Sequence, residues 1–438
     1  MESPKNNQAR LLAARIIEDV IGGHALSDLL ANRLQHIPER DAAFVKALCY
    51  GVCRYYERLD LMLSQLLKKP MRERDVDVFA LLLVGLYQLS EMGTPQHAAV
   101  AETVEAAKLL KKPWCVSLVN ALLREFIRNQ ATITAHTMKE LEGHYAHPLW
   151  FIEKIKQDWP NHWESILTEN NAHPPLTLRV NQSIISRDDY LQKIQAAGIH
   201  AHRLPETGAG IILEKSMTIE ALPGFKAGEF SVQDGAAQLC APLLELKPHL
   251  RVLDAAAAPG GKLTHLIELE PLLDLTALDK DPIRLQTIKI NLQRLQQKTR
   301  CICADAANTK GWWDGKMFDR ILLDAPCTGS GVVRRHSDMK LLKQPGDAKK
   351  LAQEQTRLLE GLWPTLAPGG ILLYTTCSIF PDENQAVINS FLANHLDAIE
   401  EKIEADWGIP MPMGRQILPG MHQMDGFYFA KIKKKTEF

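Results

Sequence analysis

Val252-Leu-Asp-Ala-Ala-Ala-Ala-Pro-Gly-Gly-Lys262 reads as a buried strand that runs into a turn of small residues and then a helix. Arg251 to Ala255 is the predicted strand. Ala256, Ala257, Ala258 and Pro259 keep the turn small, and Gly260 and Gly261 tolerate torsions closed to larger residues. Small side chains let backbone approach a ligand, and the helix that follows presents free amides to it. Asp279 ends the next predicted strand, Leu275 to Asp279, near the spacing at which an acidic residue meets ribose hydroxyls in nucleotide-binding sheets. Asp305, after a third strand at Arg300 to Ala304, is placed to accept a hydrogen bond from an adenine amino group. GxGxxG and GxxxxGK[ST] are absent, which weighs against dinucleotides and nucleoside triphosphates. A turn that merely packs a helix on a strand is the structural alternative; Asp279 and Asp305 at successive strand ends favour a ligand site.

The alternation continues outward. Strands at Phe318 to Asp324 and Ile371 to Thr375, with helices at Pro282 to Leu295 and Ala348 to Leu366, predict a doubly wound α/β domain over residues 231–438. Gln416-Ile-Leu-Pro-Gly and Gly426 to Ile432 read as a closing antiparallel pair, and Lys431 to Lys435 as a short basic tail. Two cysteines follow apolar runs: Cys327 in Leu323-Asp-Ala-Pro-Cys and Cys377 in Tyr374-Thr-Thr-Cys-Ser. Each is expected just past the carboxyl end of a strand, the edge where open α/β sheets bind ligands. A thiol there is a nucleophile if its surroundings favour the thiolate, and Pro381-Asp-Glu-Asn reads as a helix start that would do so. An ordinary buried thiol is the alternative for each taken singly.

Residues 1–142 show apolar residues at three- and four-residue intervals, over Arg10 to Val20, Arg40 to Leu67, Val76 to Met92, Pro95 to Leu110 and Trp114 to Arg128. This predicts an all-α bundle. Residues 143–230 mix a helix at Pro148 to Trp159 with short runs at Leu176 to Val180 and Gly210 to Leu213, a small α+β module. Three parts are therefore expected: helical, α+β, and α/β.

The net charge of −1 gives no global argument for a polyanionic partner, so any nucleic acid must meet local patches. Phe79 to Leu89 is too short to span a bilayer, and Met1-Glu-Ser-Pro-Lys lacks the apolar core of a secretion signal. The expectation is a cytoplasmic protein with reduced thiols, no membrane association and no obligate protein partner, a monomer. The eight cysteines have no Cys-x-x-Cys spacing, so no metal is expected. Cys49, Cys53, Cys115, Cys240, Cys301 and Cys303 are assigned to packing.

Together these segments resemble the RNA 5-methylcytosine methyltransferases that use S-adenosyl-L-methionine. Asp254 to Lys262 is similar to their cofactor loop, Leu323 to Gly331 to their fourth motif, and Thr375 to Asn384 to their sixth. Val332 to Lys340 resembles the stretch after the fourth motif in the bacterial subgroup. Pro95 to Lys108 and Leu118 to Leu123 resemble the helical domain of the antitermination factor NusB, while Arg179-Val-Asn181 and Ser231 to Gln238 resemble the segments leading into the catalytic domain. One position departs: the family's loop usually begins with cysteine where Ala256 stands here, which keeps the loop small and makes that thiol dispensable.

The resemblance implies a Rossmann-like methyltransferase domain behind a NusB-like RNA-binding domain, with 16S ribosomal RNA as partner and cytosine carbon 5 as acceptor. That carbon is a weak nucleophile until a thiolate adds to carbon 6. The resemblance assigns the addition to Cys377, the later proton loss and release to Cys327, and stabilisation at nitrogen 3 to Asp324. Asp324 capping the turn before Pro326 is the structural alternative. Lys262 either bonds within the site or complements the loop. Phosphate contacts are expected from Arg334, Arg335 and Lys340 beside the fourth motif; Lys108, Lys111 and Lys112 are candidates that a solvated helix end explains equally. Methylation of a transfer RNA cytosine and a non-catalytic RNA-binding assembly factor are the competing functions.

Overall fold

The computed structural model describes residues 6–215 and 217–436; Met1 to Lys5, read above for a signal, lie outside them. The chain forms two compact units, Met1–His173 with Val333–Pro345, and Pro174–Val332 with Gly346–Phe438. The two units meet in sequence at 173/174, and residues 333–345 belong to the first of them.

The first unit holds α1 (Asn6–Ile21), α2 (Leu26–Arg33), α3 (Glu39–Arg54), α4 (Tyr56–Leu66), α5 (Val76–Ser90), α6 (Gln96–Lys108), α7 (Pro113–Thr137), α8 (Leu141–Tyr145), α9 (Leu149–Asp158) and α10 (Trp163–Asn171). The apolar run Phe79 to Leu89 is most of α5, and Leu81, Leu82, Leu83, Val84 and Leu86 are fully buried in the core of this unit. A helix apolar on every side must be enclosed by others, so no membrane is needed to explain it. Among the described residues no helix is long and apolar enough to cross one. The continuous helix expected over Arg40 to Leu67 breaks at Tyr55, which leaves α-helical torsions and caps α3.

The second unit begins with β1 (Leu176–Val180), α11 (Arg187–Ala196), β2 (Ala201–Arg203), β3 (Gly210–Leu213) and β4 (Phe230–Val232), giving an antiparallel sheet of order β2-β3-β1-β4. After the short helices α12 (Gly235–Gln238) and α13 (Cys240–Leu243) come β5 (Arg251–Asp254), α14 (Gly261–Leu269), β6 (Asp274–Asp279), α15 (Pro282–Arg294), β7 (Arg300–Cys303) and β8 (Phe318–Asp324). The excursion with α16 (Met339–Leu342) belongs to the first unit; the second resumes with α17 (Asp347–Leu362), β9 (Leu366–Thr376), α18 (Gln385–Asn394), β10 (Ala398–Glu400), β11 (Ile409–Pro410), β12 (Arg415–Ile417) and β13 (Phe427–Lys434).

These strands form a mixed sheet of order β11-β12-β13-β9-β8-β5-β6-β7, with β10 on β13. The pairs from β9 through β7 are parallel, and β13 closes antiparallel on β9. The expected basic tail begins inside this sheet: Lys431 is buried and bonded to Glu245 and Glu401, while Lys433 and Lys435 are exposed. Strand order reverses on either side of β5, so the crevice beyond the carboxyl ends of β5 and β8 is the topological switch point where such sheets bind ligands. Cys303 is exposed on the edge strand β7, against the expectation that it packs inward.

Candidate active site

A cavity of about 240 Å³ opens at that switch point, lined by Ala256, Ala258, Asp279, Asp305, Cys327 and Cys377 among others. Its first wall is the turn after β5. Gly260 caps α14 with φ of +100°, a left-handed torsion that L side chains rarely adopt. Two side chains of α15 tie the turn down: Arg284 donates to the Ala258 carbonyl at 3.0 Å and Asn291 to that of Pro259 at 2.8 Å. Asp279 accepts from the amides of Ala258 at 3.2 Å and Asp281 at 2.9 Å. Asp305 accepts from the Ala307 amide at 3.0 Å and pairs with Arg357 at 3.0 Å.

Arg179, singled out only as part of Arg179-Val-Asn181, is fully buried behind the loop. Its guanidinium meets Glu268 through two bonds at 2.7 and 2.9 Å, Thr264 at 2.9 Å, the Gly261 carbonyl at 2.5 Å, and Gln233. The first turn of α14 is therefore held by a strand of the smaller sheet. No local pattern marks this role; a charged residue inside the alternating run Leu176 to Val180 is the one visible sign.

The second wall holds the two thiols and the Asp324 carboxylate. Asp324 ends β8 in register with Thr375 of β9. Its carboxylate accepts from Lys262 Nζ at 2.7 Å and from the Thr375 hydroxyl at 3.3 Å. Lys262 also lies 5.0 Å over the Phe427 ring; burial opposes its charge, but Asp324 and the other acidic groups nearby hold its pKa above the ordinary value. Deeper in, Asp254 is buried with neither carboxylate oxygen in a full hydrogen bond. Burial, then the charge of Asp324, push its pKa up to about 7, opposed by Lys262 and the Ala256 amide.

Cys327 and Cys377 lie with sulfurs 3.4 Å apart, in contact yet beyond the roughly 2.05 Å of a disulfide. The hydrogen bond to Cys377, then burial and the negative charges of Cys377, Glu383 and Asp324, push the Cys327 thiol well above its ordinary pKa. Beneath them Glu383, fully buried, accepts from the Thr328 amide at 2.7 Å, the Thr328 hydroxyl at 2.5 Å and the Ser378 hydroxyl at 2.6 Å. It thus ties the Cys327 loop to the Cys377 loop. Gly331 adds a second tie: its amide donates to the Cys377 carbonyl at 2.9 Å, and a Cβ there would lie 2.2 Å from the Gly426 carbonyl oxygen. In the sequence Glu383 falls in the sixth motif and in the helix start at Pro381; its segment forms a 3-10 turn that leads into α18. An acid at that point of a motif beside a reactive thiol was the available signal.

The basic run Arg334, Arg335 and Lys340 is not a free surface. Arg334 is buried, with its carbonyl bonded to Arg54 at 2.8 Å. Lys340 is buried too, its Nζ donating to the carbonyls of Arg54 and Ala146, each at 2.8 Å, and to Asn171. Burial, with Arg54 and Arg58 nearby, lowers its pKa well below the ordinary value. Arg335 is half-buried. Lys112 is committed to Asp77 at 2.7 Å and Asp75 at 3.0 Å; Lys108 pairs with Glu105 at 2.5 Å on the surface, and Lys111 is exposed. Among the described residues no group of three or more acidic, histidine or cysteine side chains could hold a metal.

Residues 241–433 match the family model of the 16S rRNA methyltransferases RsmB/F, residues 147–220 the ferredoxin-like domain of RsmF/B-like methyltransferases, and residues 7–128 the NusB family. A ribosomal RNA small subunit methyltransferase B of Pseudomonas putida is 47% identical over 427 residues, 97% of this chain and 98% of that protein. The chain belongs to the ribosomal RNA small subunit methyltransferase B family. Another member, described as a probable one from Coxiella burnetii, is 46% identical over 401 residues, 90% of this chain and 93% of its own. The crystal structure of PH0851 shares the fold, with a TM-score of 0.84 over 99% of this chain and 100% of that one at 22% identity. The family matches account for three parts along the chain: NusB-like helices, a ferredoxin-like module and a methyltransferase domain with a mixed sheet.

Proposed function

We propose that the protein transfers a methyl group from S-adenosyl-L-methionine to carbon 5 of a cytosine in 16S ribosomal RNA, through a covalent adduct between Cys377 and carbon 6. The observation that carries this reading is the pair of thiols 3.4 Å apart beyond two adjacent strands, facing a cavity whose other wall is the small-residue turn. The residues fit the cofactor: alanines leave room along one wall, and Asp279 and Asp305 set carboxylates at two strand ends beside it. Bound there, the cofactor supplies an activated methyl group.

The protein's side chains do the rest. Cys327, whose proton is held by burial and nearby negative charge, lies in sulfur contact with Cys377, and Cys377 acts as the thiolate. Addition of that thiolate to carbon 6 makes carbon 5 an enamine carbon able to accept the methyl group. The Lys262–Asp324 pair meets the charge that develops on the ring at nitrogen 3 and oxygen 2, with Lys262 as the proton reservoir. The carbon 5 proton then passes to solvent and Cys377 leaves as a thiolate that the neighbouring Cys327 thiol stabilises, which restores the aromatic ring. A base stacked in a helix cannot reach the thiols, so the target is extruded or already unpaired.

The test is transfer of labelled methyl from S-adenosyl-L-methionine to 16S RNA by wild type, Cys377→Ala and Cys327→Ala. Label on cytosine carbon 5 with wild type, none with Cys377→Ala, and an RNA–protein adduct that survives denaturation with Cys327→Ala are expected. Full activity in Cys377→Ala refutes the mechanism. Label entering transfer RNA but not 16S RNA would reassign the substrate.

A further inference from the structure

The second unit holds a further cavity, lined by none of the groups assigned to methyl transfer. It measures about 270 Å³ and lies where the turn at residues 206–209, between β2 and β3, meets α12, α13 and α14. Leu239, Pro242, Leu243, Leu269 and Trp407 give it apolar walls. Its volume falls near the lower end for small-molecule sites, so it suits a compact ligand. All of its lining residues belong to the second unit.

Three side chains on these walls each carry a buried polar atom with no hydrogen-bond partner among the described residues: Glu206 Oε2, Gln238 Oε1 and His265 Nδ1. Gln238 is 2% exposed and His265 4% exposed. Buried polar atoms are nearly always paired, so three around one cavity mark a place for something that supplies the missing partners. Two of the side chains are held at their other ends. Glu206 Oε1 meets His422 Nδ1 at 2.6 Å, and Gln238 Nε2 donates to the Gln233 and Leu178 carbonyls at 3.0 and 3.3 Å. What remains on each is an oxygen that accepts. Burial, then the charge of Arg179, hold the pKa of His265 well below its ordinary value, so its ring is neutral and one ring nitrogen accepts. The arginines joined to these elements are engaged. Arg179 is paired with Glu268, and Arg187 gives one guanidinium nitrogen to the Thr207 and Leu204 carbonyls at 2.6 and 3.3 Å.

We propose that this cavity binds a short primary aliphatic amine as its ammonium ion, with the charged head on Glu206, Gln238 and His265 and the hydrocarbon tail on the apolar walls. An ammonium group carries three N–H donors and no acceptor, the complement of two oxygens and a neutral imidazole. The carboxylate of Glu206 favours a cation and repels an anion. A metal ion has too few ligands, since among the described residues no group of three acidic, histidine or cysteine side chains could hold one. Water would meet the three polar atoms but makes no use of Leu239, Leu243, Leu269 and Trp407 around them. The inference does not rest on the cytosine chemistry.

The test is calorimetric titration of the full-length protein with n-butylamine at neutral pH and fixed ionic strength, without S-adenosyl-L-methionine. Saturable binding at a single site is expected. Butanol, which lacks the charge, and tetramethylammonium, which lacks the N–H donors, should each bind about tenfold more weakly or not at all. Glu206→Gln keeps the shape of the side chain and should weaken butylamine about tenfold, and His265→Phe should weaken it as well. Glu220→Gln, at an exposed acid of the same unit outside the cavity, should leave binding as in wild type. Thermal unfolding checks that each variant is folded, and the ligand series on wild type decides the matter even where a variant is not. Absence of saturable binding means that the cavity holds only water, and overturns the proposal. So do tetramethylammonium or butyrate binding as tightly as butylamine, or an equal loss in Glu220→Gln. No turnover is measured, so failure of the cytosine chemistry leaves this result standing.

Discussion

Asp254 ends β5 as a buried carboxylate whose protonation the fold controls. In the unfolded chain it titrates near the ordinary value of 3.8, and burial and Asp324 raise this to about 7 in the folded protein. The folded state therefore binds the proton more tightly. This group's contribution to stability is full below about pH 4, falls as pH rises, and is gone above about pH 7; the loss is on the order of 4 kcal/mol. Asp254→Asn keeps the shape and removes the titration. It should raise the unfolding temperature over wild type at pH 8 and do so far less at pH 5; an equal gain at both pH values would show that the carboxylate is not strained. Sequence reading placed Asp254 in the cofactor loop and picked out Cys327, Cys377 and Asp324, because each follows an apolar run that must end at the sheet's carboxyl edge. It gave no hint that Asp324 is the partner of Lys262, or that Glu383 binds both cysteine loops. Such pairings join residues far apart in sequence and depend on which strands become neighbours.

At the scale of elements, the junction of β1 with α14 is the most consequential contact of the second unit. Arg179 and Glu268 are both buried and pair at 2.7 Å. Removing one partner leaves the other charge buried and unpaired, at a cost of about 3–5 kcal/mol. Arg179→Met should lower the denaturant midpoint of the second unit accordingly, and Arg179→Met with Glu268→Leu should recover most of the loss. If the double variant is no more stable than the single one, the pair is not what holds these elements together. Six strands were legible from apolar runs of the right length: β1, β3 and β8 fall where the pattern puts them, and β5, β6 and β7 within a residue at an end; β9 begins five residues before the expected Ile371, and β2, β4, β10 and β11 carried no such run. The break between α3 and α4 was not. Residues on both sides of Tyr55 keep helical periodicity, and only packing sets where the axis turns. The β13 lysines misled for a related reason: charge predicts solvent unless acidic partners such as Glu245 and Glu401 are brought to meet it.

At the scale of the molecule, one stretch of the chain leaves its neighbours in sequence for the other compact unit. Residues 333–345 leave the catalytic segment and join the helical unit, where Asp338 accepts from the Leu26 amide at 2.9 Å, Ser337 donates to the Tyr50 carbonyl at 3.1 Å and Leu341 packs on the helical core. Lys340 satisfies two buried carbonyls and Asn171 at once. Lys340→Ala strips those acceptors of their donor, and a loss of roughly 2–4 kcal/mol is expected. It should appear in the unfolding of the first unit, followed by hydrogen exchange in α3, while β5 and β8 keep their protection; unchanged protection in α3 would refute the role. The sequence by itself determined the helical, α+β and α/β parts of the fold and the family they resemble, because periodicity and short motifs are local and act wherever the chain goes. The tertiary structure alone decided that Arg334 and Lys340, in the basic stretch after the fourth motif, are buried inside the helical unit. Burial and pairing are properties of the neighbours a residue acquires, and the order of residues along the chain does not contain them.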